Sequence, residues 1–156
     1  MTAALAENDA APIFSAPTNG GGVIRLEDLR GSKVALFFYP KDDTSGCTKE
    51  AISFSQARQA FDDAGTRIIG VSIDSPASHD RFVAKHDLSI PLVSDETKAI
   101  VEAYGVWVEK SMYGRKFMGT ERASFLIDGE GIIRRIWRKV KVPGHVEAVL
   151  TAAQAL

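Results

Sequence analysis

One run of apolar residues limits the folds open to this chain more than any other feature. Lys33 to Tyr39 has the sequence Lys-Val-Ala-Leu-Phe-Phe-Tyr, and its six residues from Val34 onward are all apolar. A short run rich in strand-forming residues is typical of a strand buried on both faces of a sheet. It is far too short to cross a membrane. The chain must therefore build a sheet that is covered on both sides of this strand.

Helix and strand patterns alternate along the rest of the chain. A turn of the hairpin type lies at Asn19 to Gly22, and a helical pattern from Cys47 to Ala64 ends at Gly65. The patterns that follow predict a strand at Arg67 to Ile73, a helix ending near His86, a strand at Pro91 to Ser94, a helix at Thr97 to Tyr104, strands at Ala123 to Ile127 and Ile132 to Trp137, and a helix from Gly144 to Leu156. This order predicts an α/β fold of the thioredoxin-like type, with a central mixed β-sheet flanked by helices and an N-terminal β-hairpin.

Length and composition indicate one ordinary globular domain over residues 1–156. The chain is 45% hydrophobic and 25% charged, and 19 basic against 20 acidic side chains give a net charge of −1. That balance argues against nucleic-acid and membrane partners, although Arg134 to Lys141 is locally basic. Residues 1–11 contain no Lys or Arg and no long apolar segment. We therefore expect a flexible N-terminal arm, not a signal peptide, and a cytoplasmic protein.

The chain contains a single cysteine, Cys47, placed where the central strand gives way to a helix. An intramolecular disulfide is excluded, and a lone thiol is compatible with a reducing cytosol. Unpaired backbone N–H groups at Gly46 and Cys47, together with the positive end of the helix dipole, favour a thiolate at this junction. A lowered pKa alone would make Cys47 only slightly more reactive, because the thiolate of a more acidic thiol is also a weaker nucleophile. A reactive Cys47 therefore needs donors that stabilise the transition state.

Three other residues are candidates for that environment on chemical grounds. Thr44, three residues before the cysteine, is placed to aim its hydroxyl at whatever the sulfur attacks. Pro40 has no N–H group and would wall the pocket against water. Arg122 is the candidate cation that holds the thiolate and polarises the electrophile. Because Asp42 and Asp43 would disfavour a thiolate if they faced it, we expect both side chains to point outward.

These residues resemble the active-site signature of the peroxiredoxins, Pro40-x-x-x-Thr44-x-x-Cys47 with the later Arg122. Longer stretches are similar to the bacterioferritin-comigratory branch, also called PrxQ: Phe38-Tyr-Pro-Lys-Asp42, Gly70-Val-Ser-Ile-Asp-Ser75, Pro91-Leu-Val-Ser-Asp95, Tyr104-Gly-Val-Trp107, Met112-Tyr-Gly114 and Trp137-Arg-Lys-Val-Lys141. The resemblance runs from about residue 12 to residue 156. It implies a thioredoxin-like fold and a thiol peroxidase that reduces hydrogen peroxide and organic hydroperoxides.

The resemblance also implies a role for each matched residue. Cys47 would be the peroxidatic nucleophile, which passes to a sulfenic acid. Thr44 and Arg122 would bind the peroxide and polarise its O–O bond. Pro40 would shield the sulfenate, and Glu50 would help to organise the arginine network. No metal and no organic cofactor are implied.

Two positions depart from the pattern of that branch. Many relatives carry a resolving cysteine where this chain has Ile52, and others carry one in the next helix, where this chain has Val83. The chain thus resembles a one-cysteine member, recycled by an external thiol such as glutathione, a glutaredoxin or a thioredoxin. The second departure is Ser45, where the family usually has a proline that would stiffen the loop.

Two other functions stand beside a peroxidase. The first is a redox sensor or adaptor, which passes the oxidation of Cys47 to a partner as a mixed disulfide without sustained turnover. The second is a non-catalytic scaffold with a thioredoxin fold. We expect a monomer, with a dimer as the alternative.

The three histidines are not predicted to form a metal site. His79 and His86 are seven residues apart, which places them about 10 Å apart along a helix, too far to share one ion. We therefore expect the histidines to face solvent.

Overall fold

The computed structural model describes residues 5–156. The strands are β1 (Ser15–Pro17), β2 (Val23–Arg25), β3 (Lys33–Phe38), β4 (Thr66–Ser72), β5 (Leu92–Ser94), β6 (Trp107–Met112), β7 (Arg115–Thr120), β8 (Ala123–Ile127) and β9 (Ile133–Trp137). The helices are α1 (Ser45–Gln56), α2 (Arg58–Asp63), α3 (Pro76–His86), α4 (Ala99–Ala103) and α5 (His145–Ala155), with short 3-10 turns at Asn19–Gly21 and Leu26–Leu29. None of these helices has the length and apolar character that a membrane span needs.

A five-stranded sheet with β3 at its centre organises the fold, in the order β5-β4-β3-β8-β9. β3 pairs in parallel with β4 and antiparallel with β8, so the predicted mixed sheet is confirmed. The predicted N-terminal hairpin is also present, as β1 paired with β2. Gly70 lies opposite Phe37, and a Cβ there would lie 2.7 Å from the Phe37 ring. The close approach of this ring explains why β4 carries a glycine at its centre.

Two apolar clusters fill the two faces of this sheet. Side chains alternate along β3, so Leu36 and Phe38 join one cluster, while Phe37 joins the other. The second cluster also contains Phe54 of α1 and Cys47 itself. The helix that carries the thiol is therefore fixed by packing on one face of the central strand.

The helix predicted from Cys47 to Ala64 is divided at Ala57 in the structure. The ψ angle of Ala57 is 0°, away from the helical value, so α1 ends there and α2 starts at the next residue. The offset lets Phe54 and Phe61 both pack inward, with ring centroids 5.9 Å apart. Propensity alone does not reveal such a break, because it depends on this tertiary contact.

β6 and β7 form a second hairpin that the sequence patterns did not predict. Their side chains are mostly exposed, the apolar Met112, Phe117 and Met118 included, so the alternation that marks a half-buried strand is weak. The connecting residues Tyr113 and Gly114 both have positive φ, 53° and 77°. This is the geometry of a two-residue hairpin turn, and Gly114 was its one visible signal.

The predicted flexible arm is wrong for residues 8–11, and residues 1–4 lie outside the described residues. The Asn8 amide donates to the Ile133 carbonyl at 2.7 Å, and the Ala11 amide donates to the Gly131 carbonyl at 2.9 Å. Ala10 forms a bridge with Ile132. β9 is an edge strand of the sheet, so this segment satisfies backbone groups that would otherwise be unpaired.

Candidate active site

Cys47 is the third residue of α1, and only 1% of its surface is exposed. The preceding Thr44 is extended, with φ −93° and ψ 155°, and it caps the helix through its backbone. The Thr48 amide donates to the Thr44 carbonyl at 2.8 Å, which is the first bond of the helix. The amides of Gly46 and Cys47 precede that bond, so they have no acceptor within the helix. Both these amides and the helix dipole favour negative charge at this position.

Arg122, the candidate cation from the sequence, contacts the cysteine directly. Its Nη2 donates to Cys47 Sγ at 3.3 Å, and its Nη1 donates to Glu50 Oε1 at 2.7 Å. Arg122 immediately precedes β8, which pairs with the central strand. Glu50 follows Cys47 by one helical turn, so both side chains lie on the same face of α1. One planar guanidinium therefore bridges the thiol and the carboxylate.

Gly46 leaves the space through which the guanidinium reaches the thiol. A Cβ at this position would lie 3.2 Å from Arg122 Nη2, closer than an ordinary contact. Any side chain here would press on the group that donates to Cys47. The glycine before the cysteine is therefore required by the approach of Arg122, in addition to its place at the helix N-terminus.

Glu50 is completely buried, and its Oε2 has no hydrogen-bond partner among the residues described. Burial raises the pKa of Glu50 to about 7, although the positive charge of Arg122 opposes the shift. Burial acts to lower the pKa of Arg122, but the charges of Glu50 and Cys47 raise it above its usual value. The guanidinium therefore stays charged, while its carboxylate partner titrates near neutral pH.

Two further bases lie within the influence of Arg122, and sequence reasoning missed both. Burial and the charge of Arg122 lower the pKa of Lys110 on β6. The same two causes lower the pKa of His145 to about 4. His145 Nε2 also shares a hydrogen bond of 2.7 Å with the Ser124 hydroxyl. Nothing in the local sequence places β6 or the start of α5 beside Arg122, since both reach it through tertiary packing.

Pro40 and Thr44 lie in the segment that joins β3 to α1. Pro40 follows the buried Tyr39 and is itself half-buried. The Thr44 hydroxyl donates to the Lys41 carbonyl at 2.9 Å, which closes this segment on itself. Its proton is thus engaged locally, and its oxygen keeps lone pairs that accept a hydrogen bond.

Asp42 and Asp43 are neighbours with opposite environments. Asp43 is exposed and pairs with Lys85 at 2.7 Å, as predicted for an outward side chain. Asp42 is buried, and it binds the Tyr39 hydroxyl at 2.6 Å and His79 Nδ1 at 2.7 Å. The prediction that both acids point outward is therefore wrong for Asp42. Its hydrogen bonds go to buried neighbours of its own and not to Cys47.

The prediction of solvent-facing histidines is wrong for His79 and His145, which are both buried. Each ring is held by hydrogen bonds that the sequence does not show, to Asp42 for His79 and to Ser124 for His145. Ligand atoms of Asp42, Asp74 and His79 lie within 4.8 Å of one another. Hydrogen bonds within this group and to its neighbours account for that closeness.

An open groove of about 610 Å³ borders the active-site helix. It runs between α1 and the start of α5, and it is lined by Gly46, Lys49, Ile52, Ser53, Val142, Pro143, Gly144, Val146 and Glu147. The groove begins at the residue next to Cys47. It also contains Ile52, the position of a second cysteine in many proteins that the sequence resembles. The groove is therefore open to solvent beside the N-terminal part of α1.

Comparison with known proteins identifies the family. The AhpC/TSA family model matches residues 8–136. A putative peroxiredoxin Bcp of Coxiella burnetii is 49% identical over 140 residues, which cover 90% of this chain and 93% of the relative. The peroxiredoxin Bcp of Xanthomonas campestris pv. campestris is 46% identical over 157 residues, covering 99% of this chain and 98% of the relative.

Solved structures give the same assignment. Peroxiredoxin Q of Xanthomonas campestris superposes with a TM-score of 0.87 at 45% identity, covering 91% of this chain and 90% of that one. A mutant of PrxQ from Xylella fastidiosa superposes with a TM-score of 0.89 at 35% identity, covering 96% and 98%. The thioredoxin-like fold predicted from the sequence is thereby confirmed. The chain belongs to the AhpC/TSA family, in the Bcp or peroxiredoxin Q branch, and is a thiol peroxidase.

Proposed function

We propose that Cys47 reduces hydroperoxides by way of a sulfenic acid, which an external thiol then resolves. The contact of 3.3 Å from Arg122 Nη2 to Cys47 Sγ, at the N-terminus of α1, carries this proposal. A cation held on the sulfur stabilises the thiolate, and the thiolate is the nucleophilic form of cysteine. Glu50 keeps the guanidinium in place through a second bond of 2.7 Å.

In the first step, the Cys47 thiolate attacks one peroxide oxygen and the O–O bond breaks. The sulfur takes up that oxygen as a sulfenic acid, and the other oxygen leaves as an alkoxide, which gains a proton to become an alcohol or water. Arg122 and the free amides of Gly46 and Cys47 stabilise the charge that moves onto the oxygens. Thr44 binds the peroxide, and Pro40 limits access of water to the sulfenic acid.

In the later steps, a thiol attacks the Cys47 sulfur and water leaves, which gives a mixed disulfide. A second thiol releases Cys47 and forms a disulfide of the reductant, so two thiols are consumed for each peroxide. The resolving thiol is external because Cys47 is the only cysteine in the chain. Glutathione, a glutaredoxin and a thioredoxin are the candidate reductants, and the groove beside Gly46 offers them an approach.

The proposed substrates are hydrogen peroxide and organic hydroperoxides. A bacterioferritin comigratory protein of Xanthomonas campestris, with a TM-score of 0.87 to this chain, is described with alkyl peroxide reduction activity. The groove between α1 and α5, which begins at Gly46, has room for an alkyl chain. We also propose that the protein acts as a monomer, which size-exclusion chromatography of the reduced and oxidised protein tests.

The test mixes reduced protein with one equivalent of peroxide in a stopped-flow instrument. We expect rapid loss of one thiol and a sulfenic acid that dimedone traps, with Cys47→Ser inert. Turnover is then measured with each of the three reductants in the presence of excess peroxide. A thiol that reacts no faster than free cysteine would overturn the proposal.

The burial of Cys47 supports one alternative function, a redox sensor. A sulfur that is 1% exposed presents little surface to a second thiol, so its oxidised form would persist. Rapid oxidation followed by a stable mixed disulfide with one partner, and no turnover with any of the three reductants, would favour the sensor. Turnover with at least one reductant favours the peroxidase.

A further inference from the structure

The five-stranded sheet is uncovered along the first half of β4, and a cavity opens there. β5 pairs with β4 only at Gly70, Val71 and Ser72. Residues 66–69 of β4 pair with β3 on one side and have no strand on the other side among the residues described. A cavity of about 400 Å³, which we call the β4 groove, borders this stretch of the strand.

The backbone N–H and C=O groups of Ile68 both point toward this open edge. Along a strand, successive residues direct these groups alternately to the two neighbouring strands. The Val71 carbonyl accepts from the Tyr39 amide, on the side of β3. The Gly70 amide donates to the Pro91 carbonyl, on the side of β5. Because Ile68 is two residues before Gly70, its backbone groups also face the side of β5.

Pro91 explains why β5 does not continue along this edge. If the register of β4 and β5 continued, the Ile68 carbonyl would accept from the nitrogen of residue 91, but proline has no N–H group. The Ile68 amide would donate to the Ser89 carbonyl, which instead accepts from Arg58 Nη1 at 3.3 Å. Both backbone groups of Ile68 therefore lack a partner among the described residues, although Ile68 is only 5% exposed. Buried backbone groups are normally paired, so this position is ready to accept an added strand.

The β4 groove wraps around the edge of the strand, so it has one wall on each face of the sheet. Side chains of β4 alternate between the faces, and Ile69 and Ile68 belong to different apolar clusters. The wall on the face of Ile69 is formed by Ile24, Leu29, Arg67 and Ile69. The wall on the face of Ile68 is formed by Arg58, Asp62, Ile68 and Ile90. Each wall thus combines apolar surface with one arginine, and an added strand would direct alternate side chains to the two walls.

The charges at the β4 groove favour an acidic occupant. Arg67 is exposed and has no ion-pair partner among the described residues. Arg58 and Asp62 lie 3.5 Å apart, with 55% and 47% of their side chains exposed. Two guanidinium groups therefore accompany one carboxylate. A second copy of this chain, docked groove to groove, would bring like charges together, which disfavours self-association at this edge.

We propose that the β4 groove binds an extended acidic peptide segment of a partner protein, which adds to the sheet as a short strand beside residues 66–69. The backbone of the peptide pairs with the N–H and C=O groups of Ile68. Its apolar side chains pack against the isoleucines of the two walls. Its carboxylates pair with Arg58 and Arg67. Four residues of strand span only about 13 Å, so the binding is weak and reversible.

The β4 groove and the thiol lie toward opposite ends of the sheet. β3 and β4 run parallel, and Arg67 lies opposite Val34, near the start of β3. Cys47 comes after the end of β3, in the first turn of α1. A peptide in the groove therefore leaves the surroundings of Cys47 uncovered. The proposed binding does not depend on the chemistry of Cys47, so the two proposals are tested separately.

The first measurement is the fluorescence anisotropy of a labelled peptide probe, Glu-Val-Glu-Val-Glu-Val, titrated with the full-length protein at low salt. A matched probe carries lysine in place of each glutamate, and we expect it to bind at least about tenfold more weakly. Arg67→Gln should weaken binding of the acidic probe about fivefold. Arg115→Gln is the control variant, because Arg115 is an exposed strand arginine outside the groove, and it should change binding by less than about twofold.

The second measurement is hydrogen exchange of single amides with and without a saturating amount of the acidic probe. We expect exchange of the Ile68 amide to slow about tenfold, while exchange of the Ile69 amide, which faces β3, stays unchanged. Unchanged exchange at Ile68, or equal binding of the acidic and basic probes, would overturn strand addition. Binding of neither probe would also overturn it, because Arg67 would then only shield an open edge from other chains.

Discussion

Two buried polar clusters flank the segment from Pro40 to Cys47, and they differ in how completely their groups are paired. In the cluster of Asp42 with Tyr39, Ser78 and His79, which we call the Asp42 anchor, the carboxylate accepts from the Tyr39 and Ser78 hydroxyls and lies 2.7 Å from His79 Nδ1. The other ring nitrogen of His79 lies 3.0 Å from the Val93 carbonyl. In the arginine cluster, Glu50 accepts from Arg122 through one oxygen, and its other oxygen is unpaired among the described residues. The polar groups of the Asp42 anchor are therefore paired, whereas the arginine cluster keeps an acceptor that is unpaired among the described residues.

This difference separates a cluster that holds structure from the cluster in which we propose that the chemistry takes place. A buried polar group without a partner is unfavourable by about 1–3 kcal/mol, so the fold keeps it only where another requirement prevails. At the arginine cluster, the proposed chemistry supplies that requirement, because it needs a cation that can shift its bonds from the thiolate to a reacting oxygen. The anchor has no such task, and full pairing makes its geometry rigid.

Breaking the anchor should produce the largest loss of stability. Asp42→Ala leaves the buried Tyr39 and Ser78 hydroxyls and His79 Nδ1 without the carboxylate that they contact, so the free energy of unfolding should fall by about 3–5 kcal/mol. Glu50→Gln replaces a carboxyl that is already poorly paired, so its free energy of unfolding should change by less than about 1 kcal/mol. Urea denaturation of both variants measures the contrast. Equal losses would show that pairing does not distinguish the clusters.

Breaking the arginine cluster should instead produce the largest loss of activity. Arg122→Gln removes the charged donor to Cys47, and loss of one such donor lowers the rate of a chemical step by about 10²–10³. Arg122→Lys keeps the charge but loses the bidentate geometry, so it should recover only part of the rate. Stopped-flow oxidation by hydrogen peroxide gives the second-order rate constants. Full activity of Arg122→Gln would contradict the assignment.

The pH dependence of stability sharpens the comparison, because Glu50 and His145 act in opposite directions around Arg122. The raised pKa of Glu50, from 4.5 to about 7, gives a contribution that is fully present below pH 4.5 and lost as the pH rises through 7. The lowered pKa of His145, from 6.5 to about 4, gives a contribution present above pH 6.5 and lost as the pH falls through 4.

Between pH 4.5 and 6.5, the contributions of Glu50 and His145 to the free energy of unfolding should largely cancel in the wild type. His145→Gln removes one of them, so stability of this variant should fall by about 2 kcal/mol as the pH rises from 4.5 to 7. Glu50→Gln should show the reverse slope. Urea denaturation midpoints of the wild type and both variants, measured at four pH values across this window, test the prediction. If the midpoints of all three proteins changed with pH in parallel, the cancellation would be refuted.

The smallest effect concerns the loop between the clusters. Ser45 is the first residue of α1, a position at which proline is favoured because no helical bond is lost. Ser45→Pro should therefore raise the free energy of unfolding by about 0.4–1 kcal/mol while peroxide turnover is retained. Thermal unfolding and turnover of the same sample test both halves. Complete loss of turnover would mean that the serine is needed for loop movement.

The sequence revealed those parts of the molecule whose signals are local. The apolar run of β3 identified the central strand, and the spacing around Cys47 indicated a candidate thiol site. Arg122 was a candidate on chemical grounds and also matched the family pattern, although it lies 75 residues away from the thiol. These features depend on neighbours in sequence or on a recognised pattern.

The Asp42 anchor was not predicted from the sequence, because its residues meet only in the folded chain. Asp42 and His79 are 37 residues apart, and each on its own has the character of a surface residue. The influence of Arg122 on Lys110 and His145 was not predicted for the same reason, since β6 and α5 reach Arg122 through packing. Burial of a polar residue is a property of the tertiary structure, and hydropathy assigns such residues to the surface.

The attachment of residues 8–11 to β9 has a practical consequence for handling the protein. With that segment removed, β9 would present unpaired N–H and C=O groups to a second molecule. Truncation before Pro12 would therefore invite intermolecular strand pairing and precipitation. Affinity tags are better joined through a spacer that leaves the pairing of residues 8–11 with β9 intact.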